Sequence, residues 1–476
     1  MKTEKQSMFV TADGKNVLFT FTIVSSLFLL WGFCNGMIDV MDKHFQEELH
    51  LNLSQSAWVQ FAHYLGYFLM SLPAAWLATK LGYKGGIIAG LLLVAVGGFW
   101  FIPATKIAAF WAFLLGVCII ASGLTFLETV ANPYTTVLGD PRYAATRINL
   151  AQSCNGVGWI FGPIAGGMFF YGKDSAGNST GSQTLWIPYA GVAVVVILLA
   201  VVFYFANVPD IKTEDDYRLD DSAPGTSHSI WSHPHFVMAV AAQFFYVAAQ
   251  AGIFSFIINY MTSQPPAIPA SWNGALTNAS ASVQHFVAQL PGWIAWSVSW
   301  VPGWLTGWFE TNKSGVLCFT NKAGANLASL GFVCFLIGRA TGAGMLRRVS
   351  AHKMLGLYGL LNVVVCLLVF AKLGWLSVAC VFVSYFFMSI MFPTIFALGI
   401  FGLGVRAKRA SAYIVMAIMG GALLPKLMGA VADKYDISRG FIVPMFCFVF
   451  IAFYGYYWPK LSNAKSLQEV PTSGGH

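Results

Sequence analysis

Charge is what this chain of 476 residues has least of: 10% of its residues are charged and 57% are hydrophobic, against about 25% charged in soluble domains. That shortage excludes a water-soluble globular protein. The eight cysteines (34, 118, 154, 318, 334, 366, 380 and 447) show no C-x-x-C spacing. Most lie in apolar stretches and read as small membrane-helix residues, not as a metal or disulfide framework. There is no nucleophile–base constellation, no H-E-x-x-H and no Gly-rich phosphate loop, which argues against an enzyme. No cofactor is expected. The first 16 residues are polar, and the first apolar run is too long for a leader and lacks an A-x-A-like site, so no cleavable signal peptide is expected. The net charge of +8 is scattered over the ends of apolar runs, and a nucleic-acid partner is not expected.

What is there is a series of long apolar runs, each sufficient to cross a bilayer. Twelve are expected, near 18–41, 55–79, 85–103, 107–133, 147–171 and 184–207, then 234–261, 322–347, 352–371, 374–401, 408–432 and 438–459. The fold class is therefore an all-α membrane protein of twelve transmembrane helices. An even number puts both termini on one side. That side collects Lys2, Lys5, Lys15, Lys80, Lys84, Arg142, Arg147, Arg347, Arg348, Lys353, Arg406, Lys408 and Arg409, and the excess places both termini in the cytoplasm. The expected location is a bacterial inner membrane, with lipid as the surrounding partner and a monomer as the working state.

The expected organisation is an N-terminal six-helix half over 1–207, a cytoplasmic linker over 208–233, a C-terminal half over 234–460 and a tail over 461–476. The second half contains an insertion, 262–321, rich in Trp and Pro. Pro291 and Pro302 interrupt its apolar stretch, so helices at the interface or a cap over the outer mouth suit it better than a span. The two halves echo each other. Pro133 and Gly139 in the fourth span match Pro393 and Gly399 in the tenth (393 − 133 = 260). Gly158, Pro163 and Gly167 in the fifth match Gly420, Pro425 and Gly429 in the eleventh (420 − 158 = 262), and Asn35 matches Gln250 (250 − 35 = 215). The insertion accounts for the change of offset. A six-plus-six parallel repeat is the organisation of major facilitator transporters, with the substrate held near the midplane between the halves.

Two carboxylates interrupt the apolar runs: Asp39 in the first span and Glu128 in the fourth. Each costs about 2.5–3.5 kcal/mol at the middle of a membrane helix, and a proton neutralises each, so they read as proton-handling groups. Lys43, one turn on, is the alternative partner of Asp39, and Arg147 is a candidate partner for Glu128. The candidate substrate groups are Asn35, Gln152, Asn155, Tyr246 and Gln250, with Phe254 as a stacking face. Sugars suit such amides, since every hydroxyl both donates and accepts. Asn149, Gln243, Asn259, Phe33, Tyr64, Phe256 and His63 are further candidates. Arg339 and Lys426, inside apolar runs, have no assigned role. Gly158, Gly162 and Gly166 form a stripe that permits close helix approach.

Several segments, LWGFCNGMIDVMDKHFQ, FLETVANPYTTVLG, RINLAQSCNGVG, AQFFYVAAQAGIFSFIINY and FMSIMFPTIFALGI, resemble the fucose–proton symporter family of the major facilitator superfamily. The resemblance covers nearly the whole chain outside the tails, the linker and the Trp-rich insertion. It implies symport of a neutral monosaccharide with a proton by alternating access, with Asp39 and Glu128 as the essential carboxylates. L-fucose is the first expectation, then galactose or glucose, then N-acetylglucosamine. The chain departs from the family pattern at Gly36, where fucose carriers have a second asparagine. It departs also at Met391 and Phe392, where they read SIQYPTIF, and at Phe254 and Phe256, where they have Trp and Tyr. Sodium coupling and a non-transporting sugar sensor on the same scaffold are the alternatives.

Overall fold

The computed structural model describes residues 9–10, 16–138, 144–171, 184–206, 208, 229–291, 300–312, 315–346, 349–401, 403 and 407–463. Most of the expected linker, the tail from 464 onward, Gly139, Arg142, His228 and the Asn149 side chain lie outside the described residues.

Each expected span is helical. In order they are α1 (Leu18–Glu48), with the short α2 (Leu53–Ser56) after it, α3 (Trp58–Ile107), α4 (Phe110–Val137), α5 (Ala144–Phe170) and α6 (Trp186–Phe205). The α3 helix supplies two spans, turned at Gly82, whose φ of 68° suits a residue without a Cβ. The second half begins with α7 (Pro234–Ser255) and α8 (Ile257–Ser263). After the insertion come α11 (Asn321–Met345), α12 (Ala351–Phe370), α13 (Trp375–Met388) and α14 (Met391–Ile400). Last are α15 (Ala407–Met416), α16 (Gly420–Lys434), α17 (Ile437–Gly440) and α18 (Ile442–Ser462). Ten described segments are long and apolar enough to cross a membrane. The other two expected spans, the first limb of α3 and all of α5, carry the polar side chains Gln60, His63, Gln152 and Asn155. Continuous helix is the natural outcome in lipid, because it satisfies every backbone group within the segment.

The boundaries differ from expectation where the second half is broken. The expected span 234–261 bends at Phe256, 374–401 parts at Ser389 and Ile390, and 408–432 passes through a 3-10 turn at Ala417–Met419. The first span is longer than hydropathy indicates, running to Glu48.

The insertion folds as α9 (Ala270–Ala288), α10 (Trp300–Leu305) and a hairpin of β1 (Phe309–Thr311) with β2 (Leu317–Phe319). None of these described elements is long and apolar enough to span. The insertion rests on the face opposite the start of α1 and the end of α18. Lys322 donates to the Gly303 and Thr306 carbonyls, and Trp272 meets Trp375 at 5.2 Å.

The duplication reaches the level of single atoms. A Cβ on Gly158 would collide with the Leu29 carbonyl oxygen, and one on Gly420 with the Phe244 carbonyl oxygen. The partners obey the two sequence offsets: 420 − 158 = 262 and 244 − 29 = 215. The α1–α5 and α7–α16 crossings are therefore equivalent close approaches. Gly162 and Gly166 continue the first against Phe33 and Val40.

Gly158→Leu and Gly420→Leu are each expected to destabilise the protein by about 1–3 kcal/mol or more through overpacking. Gly274→Leu, which has nothing within 4 Å, is expected to leave stability unchanged. Thermal unfolding of the three detergent-solubilised variants checks this.

Candidate functional site

The α1 helix buries Asp39 against the first limb of α3. One Asp39 oxygen accepts the Gln60 amide N–H at 2.8 Å, and the other has no partner among the described residues. Lys43, the alternative partner, pairs instead with Glu47 at 3.4 Å. Glu128, on α4, makes no ion pair or hydrogen bond among the described residues. Arg147 is buried, and its Nε donates to the Thr135 carbonyl, two turns along α4 from Glu128.

Tyrosines join the carboxylates into one polar layer. Tyr64 lies within electrostatic reach of Asp39, Glu128 and Tyr246. Its ring also fills the space beside Gly421, so it bridges the two halves. Tyr67 faces Glu128 and Asn35 and takes the Trp31 indole N–H. His63 sits between these tyrosines, 5.0 Å from each ring, and its Nδ1 has no partner among the described residues.

The expected substrate groups fall into two sets. Asn35 is buried with its carbonyl oxygen unpartnered, and Gln243 is buried with both amide atoms unpartnered among the described residues. Gln250 and Gln152 are half-buried on α7 and α5. Asn155, by contrast, donates to the Phe28 carbonyl at 3.2 Å across the α1–α5 crossing, which is helix glue. The Tyr246 hydroxyl donates to the Met388 carbonyl at 2.9 Å, where the tenth span breaks. Asn259 donates to Gln46 across the halves and belongs to a closure, not to a pocket. Gly36 also changes meaning. A Cβ there would meet Pro163 Cδ at 2.9 Å and the Trp159 carbonyl at 3.1 Å, so the position serves the helix crossing.

The aromatic side of the site is larger than Phe254. Phe254 stacks on Tyr385 at 4.5 Å and meets Phe332 at 4.9 Å and Trp159 at 5.8 Å. Tyr385 is within electrostatic reach of Asp39, and its hydroxyl has no partner among the described residues. The cluster thus draws on α5, α7, α11 and α13 and borders the polar layer around Asp39. Trp159 was legible as the residue one turn after Asn155 on α5. Gln60 had only the weaker signal of an amide inside an apolar run. Lys426 places its ammonium 3.7 Å from the Trp58 ring, a cation–π contact between the halves. Arg339 donates weakly to the Ser389 carbonyl at 3.5 Å, lies over Phe335 and faces Tyr246.

On the insertion side the halves are closed upon each other. The Asp433 carboxylate accepts the Leu53 and Ser54 backbone N–H groups at 2.7 and 2.8 Å. It thereby caps the first turn of α2 from the opposite half. Gln46 meets Asn259, and Glu47 meets Asn321. Gly429 packs on the Leu53 backbone and Gly167 on Ala325.

Residues 20–309 match the model of the Major Facilitator Superfamily. The sequence is 31% identical to a glucose/galactose transporter of Brucella abortus over 94% of this chain and 95% of that one. It is 30% identical to an L-fucose-proton symporter of Escherichia coli, covering 92% of this chain and 93% of the relative. The crystal structure of FucP in the outward conformation is 31% identical and covers 93% of this chain and 99% of its own, with a TM-score of 0.62. A D-xylose-proton symporter, 10% identical, shares the fold with a TM-score of 0.68 over 95% of this chain and 99% of that one. Similarity of this extent along both chains, on twelve helices arranged as two crossing-matched halves, means that the chain is a transporter and not an enzyme, and that it belongs to the fucose–proton symporter family of the Major Facilitator Superfamily.

Proposed function

We propose that this protein carries a neutral monosaccharide into the cell together with a proton, as a monomer in a bacterial inner membrane with both termini in the cytoplasm. The observation that carries the reading is the pair of intramembrane carboxylates, buried Asp39 and half-buried Glu128, which share Tyr64 and pair with no basic side chain among the described residues. An ion there is expensive, and a bound proton removes the charge. A neutral carboxyl also donates a hydrogen bond to a sugar hydroxyl. Loading both proton and sugar therefore makes the closed state accessible, while the empty, ionised carrier is disfavoured in it.

The names of the relatives support a hexose or deoxyhexose. The aromatic cluster of Trp159, Phe254, Phe332 and Tyr385 gives the apolar face of a pyranose a stacking surface beside the hydrogen-bonding layer. L-fucose ranks first, galactose or glucose next, then N-acetylglucosamine. The basic residues at the ends of the spans favour the terminal side as cytoplasmic, which makes the closed, insertion-bearing side the outer one.

Three measurements on vesicles or cells test this. Glu128→Gln is expected to lose gradient-driven accumulation while sugar exchange persists; normal accumulation defeats the coupling role. Asp39→Asn is expected to reduce uptake by about tenfold or more, or about 1.4 kcal/mol, whereas Lys43→Ala leaves it within about twofold. Equal loss in both restores the ion-pair reading. Uptake of one labelled sugar is expected to be inhibited by neutral hexoses or deoxyhexoses and not by sugar phosphates, and binding without uptake would mark a sensor. For orientation, Ala279→Cys on a background lacking reactive cysteines is expected to react with an impermeant maleimide from outside. Ala279 is exposed, whereas the adjacent Ser280 is buried. Labelling only after permeabilisation reverses the topology.

A further inference from the structure

A third carboxyl group lies in the same helix. Asp42 stands one turn beyond Asp39 on α1 and is fully buried, at 0% exposure. Neither of its oxygens has a hydrogen-bond partner among the described residues. Residues at i and i+3 share a helix face, so Asp42 and Asp39 point to the same side, and they interact electrostatically.

Ser56, Gln46 and Lys43 lie within electrostatic reach of Asp42, but the hydrogen bonds and ion pair they make go to other partners. On α1, Lys43 is turned to Glu47 at 3.4 Å. Gln46, one turn further on, gives its N–H to Ser56 and takes the Asn259 amide on its oxygen. From α2, the Ser56 hydroxyl donates to the Leu53 carbonyl. Tyr171, just past the end of α5, also lies within electrostatic reach, but its hydroxyl donates to the Val40 carbonyl at 3.0 Å. A buried carboxylate with no donor costs several kcal/mol, and a second carboxylate one turn away adds repulsion. The group is cheapest in this state as a neutral acid. Its position completes the picture: Gln46, Ser56 and Asn259 are part of the closure between the halves, so Asp42 lies just beneath it, between the insertion side and Asp39.

We propose that Asp42 is a proton-binding site that relays protons between the insertion-side solution and Asp39. With that side open, Asp42 takes a proton from water. While that side is still open, the O–H bond on Asp42 breaks as a new one forms on the unpartnered oxygen of Asp39, and Asp42 takes a second proton from water before the side closes, so that it is neutral in the closed state. The inference rests on the reading of Asp39 as a proton carrier and adds a residue for which the coupling pair has no need if protons reach Asp39 directly.

The test uses the full chain in lipid vesicles, as wild type, Asp42→Asn, Asp42→Leu and Asp42→Glu, with two readouts. The first is the pH profile of gradient-driven uptake compared with sugar exchange. Asp42→Asn and Asp42→Leu are expected to lower driven uptake at least fivefold more than exchange at neutral outer pH. Acidifying the outside is expected to restore part of the loss, and Asp42→Glu to restore most of it. The second is difference infrared spectroscopy of the protonated carboxyl band during an alkaline pH jump without sugar; a band present in the wild type is expected to vanish in Asp42→Asn and Asp42→Leu. An unchanged band and pH profile in both variants overturn the proposal, as does equal loss of driven uptake and exchange. Two neutral variants of different shape guard against a single misfolded one, and misfolding of both with a normal Asp42→Glu would mark a structural carboxyl and also overturn it. If the wild type accumulates no neutral sugar yet the Asp42 band titrates, the function reading fails and the proton site stands.

Discussion

Hydrocarbon offers no hydrogen bonds, and that one constraint orders this molecule. Any polar group between the helices must find a partner in the protein, or carry a free-energy cost that a ligand or proton can relieve. Most groups are satisfied: Asn155 on the Phe28 carbonyl, Tyr246 on Met388, Gln60 on Asp39. Several of the exceptions gather around Asp39 and the aromatic cluster. Asp42, one oxygen of Asp39, the Asn35 carbonyl, both ends of Gln243 and the Tyr385 hydroxyl are buried and unpartnered among the described residues. They lie on helices that face the opposite half, where a ligand can supply what the protein withholds.

Close helix approach is the mechanical counterpart. Gly158 against Leu29 and Gly420 against Phe244 bring backbone against backbone in each half. Dispersion and packing drive helix association in a bilayer, where the hydrophobic effect between helices is absent. Each half is thereby held by its own seam, while contacts between halves are fewer and more polar: Asp433 on α2, Gln46 with Asn259, Glu47 with Asn321.

Much of this was legible because charge is scarce. Asp39 and Glu128 stand out against apolar neighbours, and the offsets of 215 and 262 hold down to the carbonyl that each glycine meets. Asp42 was not legible for a physical reason. Hydropathy ends the first span near 41, yet α1 runs to Glu48 and its last turns are buried by contact with α2 and α8. That burial comes from tertiary packing, which composition does not encode. Gly36 stands where fucose carriers have a second asparagine, while the Pro163 ring and the backbone of α5 occupy the space beside it. Asn259 has the chemistry of a sugar ligand, and only its place opposite Gln46 assigns it to the closure.

The breaks in the second half have a mechanical consequence. Spans seven, ten and eleven are interrupted at Phe256, at Ser389–Ile390 and at Ala417–Met419, whereas the spans of the first half that hold Asp39 and Glu128 run unbroken through those positions. An interrupted helix is compliant, because fewer backbone hydrogen bonds cross the joint. The two halves are thus matched in architecture but not in stiffness. The unbroken spans hold Asp39 and Glu128 at fixed spacing. The compliant half carries Phe254, Tyr385 and the Tyr246–Met388 bond near its joints. Its wall can adapt to the outline of a bound molecule, so discrimination between similar sugars rests on elastic cost as well as on hydrogen-bond count.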